Sequence, residues 1–187
     1  MGLDMYLTKR HYVKRWSHQS KEEKCYVSVR RNGKKLPYVN ASKITYLVES
    51  VAYWRKSNQI HDWFVKNVQN GVDECQETWV DPSKLQELLD TCKQVLAAST
   101  LVKGKQINGY GFDEHGEKDP NFIDGEVIED STVAEALLPT SSGFFFGGTE
   151  YDKWYLDDIK NTIEMLEAEL AIDYGRDQPE YYYRSSW

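Results

Sequence analysis

Residues 141–155 read SSGFFFGGTEYDKWY, three adjacent phenylalanines between glycines with a helix-like run directly behind them. How this stretch is read decides the fold of the second half of the chain. A glycine loop at a helix N-terminus can hold an anion, because free backbone amides and the helix dipole favour negative charge there. The alternative is a buried strand that meets its helix. No lysine stands where a phosphate loop would use one, and Glu150 and Asp152 repel phosphate while suiting the helix dipole. We therefore read Phe144 to Phe146 as a central strand buried on both faces. Thr149 and Asp152 form a capping box for the helix that follows.

Downstream, Tyr151, Tyr155, Ile159, Thr162, Ile163, Leu166 and Leu170 recur at helical spacing, which predicts an amphipathic helix over 150–171, with Gly175 closing the region. Upstream, Asp81 and Pro82 open a helix over 82–97 whose stripe is Leu85, Leu88, Leu89, Cys92, Val95 and Leu96. The segment 42–68 also reads as helical. Ile44, Leu47, Val48 and Val51 lead into Ala52 or Trp54, and a second run follows at Ile60, Trp63, Phe64 and Val68. Asn58 is the expected N-cap of that second run, and Asn70-Gly71 the expected C-cap.

Leu3, Met5 and Leu7 alternate, which predicts a strand with one buried face. Residues 24–31 alternate too, Asn32-Gly33 makes a turn, and Leu36 to Val39 reads as the returning strand. Residues 103–132 lose periodicity and are punctuated by glycine and acid, which predicts a long loop with a short hairpin at Ile107 to Phe112. Ala134 to Leu138 reads as one helical turn stopped by Pro139. The sum is a single α+β domain over residues 1–175, an antiparallel sheet packed against three or four amphipathic helices. Residues 176–187 form an aromatic tail that either packs back or awaits a partner.

The 187 residues carry a formal charge of −7, unevenly placed. Residues 1–60 hold 13 Lys and Arg against 4 Asp and Glu, and the remainder holds 10 against 26. Lys9, Arg10, Lys14, Arg15, Lys21, Lys24, Arg30, Arg31, Lys34 and Lys35 interleave with Tyr12, Trp16 and Tyr26, a pattern that suits single-stranded nucleic acid or a small anionic ligand. The isoelectric point near 5.2 argues against a general DNA binder, so nucleic acid is not the favoured partner. Three widely spaced cysteines without a CxxC pair point to a reducing compartment. No apolar run has membrane-spanning length and the first residues lack the shape of a signal peptide, so the expected location is cytoplasmic with no membrane partner.

Catalytic spacing is weak. His61 and Asp62 are neighbours on a helix and diverge by roughly 100°, so they make no ready acid–base pair. HExxH, GxSxG, GxGxxG and the phosphate loop are all missing, so neither metal nor cofactor is expected.

The segments MGLDMYL at 1–7, YWRKSNQIHDWFV at 53–65 and LLPTSSGFFFGGTEYDKWY at 137–155 together resemble a family of uncharacterised proteins encoded by bacteriophages and prophages. The resemblance spans residues 1 to about 165 and carries no assigned activity. It implies an accessory protein working inside a bacterial host cell.

The leading expectation is a non-enzymatic binding protein that engages a host protein, or a nucleotide signal, in an anti-defence role. Binding energy in such contacts concentrates in Trp, Tyr and Arg. The candidate residues are Trp54, Arg55, His61, Tyr151, Trp154, Tyr181, Tyr182, Tyr183 and Trp187. One alternative is a small enzyme acting on nucleotides or nucleic acid, with His61 and a carboxylate as acid–base groups. Another is an acidic DNA mimic built on residues 113–130 and 150–180.

Overall fold

A computed structural model describes residues 2–187. In chain order the elements are β1 Asp4–Tyr12, β2 Arg30–Arg31, β3 Lys34–Lys35, β4 Tyr46–Arg55, α1 Asn58–Asn67, β5 Thr78–Val80, α2 Pro82–Ala98, β6 Leu101–Phe112, β7 Lys118–Ile128, α3 Thr132–Leu137, α4 Lys153–Leu170 and β8 Glu180–Ser186. The main sheet is wholly antiparallel, in the order β4-β1-β8-β5. With the helices it makes the expected α+β fold.

β1 forms because Met5 and Leu7 alternate with Tyr6 and Thr8, so one face can be buried whole. Leu3, Met5 and Leu7 are fully shielded from solvent. Trp54 from β4, Val80 from β5, and Tyr181 and Tyr183 from β8 join them in the core. Helices α1, α2 and α4 add Ile60, Phe64, Leu85, Leu88, Leu89, Val95, Ile159 and Leu166. Burying each such side chain stabilises the fold by about 1.5–3 kcal/mol. The Phe64 and Tyr183 rings stack with centroids 3.9 Å apart, and the Trp54 indole donates to Thr162 Oγ1 at 2.8 Å, tying sheet to α4.

Helix α2 starts as expected, with Asp81 accepting from the Ser83 amide and Pro82 in the first turn. The Asn32-Gly33 turn also forms, both residues at positive φ, but the paired residues around it are only Arg30–Arg31 and Lys34–Lys35. Neither 24–29 nor Leu36 to Val39 is a strand.

Further expectations need correction. Residues 46–55 are strand β4, not helix. Half of these residues, Tyr46, Val48, Val51, Tyr53 and Trp54, are β-branched or aromatic, and a helix would leave β1 without its second neighbour. Helix begins only at Asn58, after Lys56 reverses the chain at φ 63°. Residues 101–128 are a long hairpin, not a loop. Gly104 and Gly125 face each other across it, and a Cβ on either would overlap Val127 or Gln106. These glycines make room for side chains inside a ladder.

Phe144 to Phe146 is a turn, not a strand. Phe144 is 92% exposed, and the Phe146 amide reaches back to the Gly143 carbonyl at 3.2 Å. Gly147 sits at φ 90°, which extended strand residues do not adopt. The α4 N-cap is Asp152, whose carboxylate accepts from the Trp154 and Tyr155 amides, so Thr149 caps nothing. The expected tail supplies strand β8 between β1 and β5, so residues 180–186 lie inside the sheet.

Candidate functional site

Strand β1, the β4–α1 junction and the 140–150 loop meet at one place. Backbone bonds join Lys56 N to Leu3 O at 2.8 Å and Leu3 N to Phe145 O at 3.0 Å. Asn58, 1% exposed, completes the junction. Its Oδ1 accepts from the Ser141 amide at 2.8 Å, and its Nδ2 donates to the carbonyls of Phe146 at 3.1 Å and Gly148 at 2.7 Å. Asn58 is thus the pin of the loop; the N-cap position belongs to Ser57. The three segments that carried the sequence resemblance are the ones that converge here.

Beside this junction lies a cleft of about 550 Å³, within the size range of small-molecule sites. Arg55, Lys56, Asn58 and Gln59 line it from the β4–α1 junction, the 140–150 loop lines a second wall, and Asp152, Trp154, Tyr155 and Asp158 come from the start of α4. Ile107 and Tyr110 of β6 border it where the hairpin register breaks between them.

Its electrostatics are divided. Among the described residues, the side chains of Arg55 and Lys56 make neither an ion pair nor a hydrogen bond. Lys56 is also held in the left-handed region, an unfavourable conformation for a non-glycine residue that the surrounding bonds impose. Asp152 and Asp158 supply the opposite sign. Burial pushes the Asp152 carboxyl above its usual range against the Tyr155 and Trp154 amides that favour its charge. Burial also raises Asp158, against Ser57 and Gln59, whose Nε2 lies 3.4 Å from Oδ2. Trp154 is 49% exposed, and Phe144 stands out almost wholly in solvent. The cleft therefore offers uncommitted cations, carboxyls that resist ionisation and open ring faces.

Of the sequence candidates, Arg55 and Trp154 line this cleft. Tyr151 flanks it, its hydroxyl accepting from the Thr140 amide at 3.1 Å. Trp54 and Tyr181 are core residues, and Tyr182 lies on the far face of the sheet beneath Arg10. His61 is 1% exposed and reaches neither the cleft nor Asp62. Its ring bonds the Tyr183 hydroxyl at 2.8 Å and Asp73 at 3.0 Å, and Asp73 accepts from the Trp187 indole at 3.2 Å. Phe146 packs its edge against His61 at 5.2 Å and meets Trp187 at 6.2 Å. His61, Tyr183 and Trp187 thus back the loop from behind.

Sequence reasoning did not single out Lys56, Gln59 or Asp158. No motif marks them, and only their place inside or beside the resembling segments hints at them. The basic residues 9–35, whose pattern suits an anionic ligand, line none of this cleft. Among the described residues, no group of three or more His, Cys, Asp or Glu is placed to hold a metal ion, and no helix is long and apolar enough to cross a membrane. Comparison with protein-family models, with curated proteins and with solved structures finds no match.

Proposed function

We propose that this protein is a non-enzymatic binding protein whose cleft takes a nucleotide-like ligand. The observation that carries the reading is the pairing of two uncommitted cations, Arg55 and Lys56, with partly shielded carboxyls and the open Trp154 ring in one cavity. A phosphate suits the cations. A base stacks on Trp154, since every base has a π face. An exocyclic amine on that base donates to Asp158. The implied setting, a phage-type accessory protein acting on a nucleotide signal inside a bacterial host, is part of the same proposal.

The test is titration of the purified protein with nucleoside mono-, di- and triphosphates and cyclic oligonucleotides, followed by tryptophan fluorescence and calorimetry. Saturable binding is expected, weakened about tenfold or more by Arg55→Ala with Lys56→Ala, and accompanied by quenching that Trp154→Phe abolishes. No saturation up to millimolar ligand across the panel overturns the reading.

A second reading rests on Asp158, whose raised pKa would suit a general acid in an enzyme acting on nucleotides. Ligand recovered unchanged after prolonged incubation removes it. His61, 1% exposed and outside the cleft, is not the acid–base group of this second reading.

A further inference from the structure

The main sheet has a second face. Along β1, Met5, Leu7 and Lys9 are buried, whereas Tyr6, Thr8, Arg10 and Tyr12 point the other way and stay partly or well exposed. The register sets their neighbours beside them. Tyr6 lies between Tyr53 and Arg184, Thr8 is beside Tyr182, Tyr182 is beside Trp79, and Tyr12 is beside Tyr46. Tyr53 is 47% exposed, Trp79 51% and Tyr12 51%. The Arg10 guanidinium lies 4.0 Å over the Tyr182 ring, and Arg184 lies 5.5 Å from that of Tyr6. This face is a row of rings and guanidinium planes, of which Tyr12, Tyr53 and Trp79 stand open to solvent.

The acids on this face are committed. Asp4 accepts from Tyr53 at 2.5 Å, Glu180 from Tyr182 at 3.1 Å, and Glu77 pairs with Arg10 at 2.5 Å. At its far end the row runs into residues 13–45, which hold nine Lys and Arg against two Glu, a formal +7. The Trp16 indole donates to the Tyr12 hydroxyl at 2.8 Å, so the excursion is attached to the row. Lys14 lies over Trp16 at 4.2 Å and Arg15 over Tyr26 at 4.8 Å. The acidity of the whole chain lies outside this excursion, since residues 61–187 carry 26 of the 30 acids.

We propose that this face binds single-stranded nucleic acid, with bases stacked on the sheet and phosphates following the 13–45 excursion. From Tyr6 to Tyr12 the strand covers about 20 Å, room for about three bases, as on other four-stranded sheets that stack single strands. Charge decides against a protein partner. A ring-and-arginine face alone would serve as a protein interface, but +7 at its end complements a polyanion. Duplex is excluded by the rings, which need unpaired bases to stack on.

The test is fluorescence anisotropy of the intact protein with labelled 12-nucleotide single-stranded DNA, single-stranded RNA and the matching duplex, from 50 to 300 mM salt. Single strands bind, duplex binds at least tenfold more weakly, and log affinity falls linearly with log salt. Trp79→Ala and Tyr53→Ala each weaken binding about tenfold with the salt slope unchanged. Arg30→Glu with Arg31→Glu and Lys34→Glu lowers both affinity and slope. All five positions are partly or fully solvent-exposed, and unchanged melting temperatures confirm that the variants fold. Nucleotide binding in the cleft is unaffected by Trp79→Ala, which separates this proposal from the previous one. Absence of single-strand binding at 50 mM salt overturns it, as does binding that ignores the aromatic variants. Saturation of the face by a stoichiometric protein with no nucleic acid bound overturns it in favour of a protein interface.

Discussion

Replacing Asn58 isolates what holds the cleft together. Its side chain makes three bonds to the 140–150 loop, at 2.8, 3.1 and 2.7 Å, from a position 1% exposed. A buried hydrogen bond contributes about 1 kcal/mol net, and its partners cost more if left unpaired. Asn58→Ala should therefore destabilise the fold by about 3 kcal/mol, lowering the melting temperature by about 6–12 °C for a chain of this size. The loss should be local in origin. The Leu3 amide, which bonds to Phe145 O at 3.0 Å, reports on docking of the loop, and its hydrogen exchange should rise about a hundredfold. Asn58→Asp is the sharper variant. It keeps the acceptor for the Ser141 amide but sets a carboxylate against two carbonyl oxygens. It should be less stable than Asn58→Ala at pH 7, and the gap should narrow in acid as the introduced carboxyl regains a proton to donate. Equilibrium unfolding in urea and amide exchange measure both effects. A loss under about 0.5 kcal/mol for Asn58→Ala with Leu3 exchange unchanged would refute the pin, as would Asn58→Asp matching alanine at neutral pH.

Burial pushes the Cys92 thiol up to about 12, and Cys92 is fully enclosed while Cys25 is exposed. Titration with a thiol reagent at pH 8 should modify Cys25 first and Cys92 only on unfolding; fast native labelling of Cys92 would contradict the packing. Lys9 and Glu169 form a buried pair at 3.0 Å, with Tyr174 and Tyr181 also donating to the carboxylate at 2.6 and 2.7 Å. Burial opposes charge on Glu169, but Tyr174, Tyr181 and Lys9 outweigh it and hold its pKa below the usual range. Its stabilisation is therefore present above the ordinary carboxylate range and lost as the pH falls through the lowered value. Lys9→Met should cost about 3–5 kcal/mol in urea unfolding, and adding Glu169→Leu should recover much of it. A Lys9→Met cost that the second substitution deepens would sink this account. Asp158 has the opposite sign. Its pKa is raised by burial, so the stability it confers is full in acid and lost as pH rises through the raised value. Asp158→Asn should accordingly gain more stability relative to the parent at pH 7 than at pH 4, which paired melting curves at the two pH values would check.

Where one periodicity governed a segment, the sequence was readable. The stripe from Leu85 to Val95, the Asp81 cap and the alternation of Leu3, Met5 and Leu7 all appear as read. Strand β4 was misread for a local reason. The register with β1 shifts between Leu7 and Thr8, whose partners are Ala52 and Ser50, so Val51 is an extra residue in β4. A bulge of this kind breaks the two-residue alternation, and what is left imitates helical spacing. Residues 101–128 failed for a different reason. Gly104 and Gly125 read as loop punctuation in sequence, and only the register shows that they face one another to admit Gln106 and Val127. The cleft itself was half legible. Arg55 and Trp154 stood out by residue type, whereas Lys56 owes its place to a backbone angle and Asp158 to its burial, and neither property is written in a motif.

The phenylalanine turn shows why the misreading of one segment moved the others. With Phe144 to Phe146 taken as the central strand, the last residues had no place in the sheet and became a tail. In the structure the central positions go to β1 and β8, because Tyr181 and Tyr183 bring two large rings to the helix side in a strand of seven residues. That frees the phenylalanines for a different task. Phe146 wedges against His61 and Trp187, which are themselves linked through Asp73, and Gly147 then turns the chain so that the Gly148 carbonyl meets Asn58. The end of the chain thus buttresses the loop that walls the cleft, and the opening strand bonds to that loop through Leu3. A cavity assembled from both ends of the chain exists only when the whole domain is folded, so its shape is coupled to global stability. Such a cavity is preorganised, so for the proposed nucleotide-like ligand the ordering cost that a mobile loop would charge at binding is met during folding.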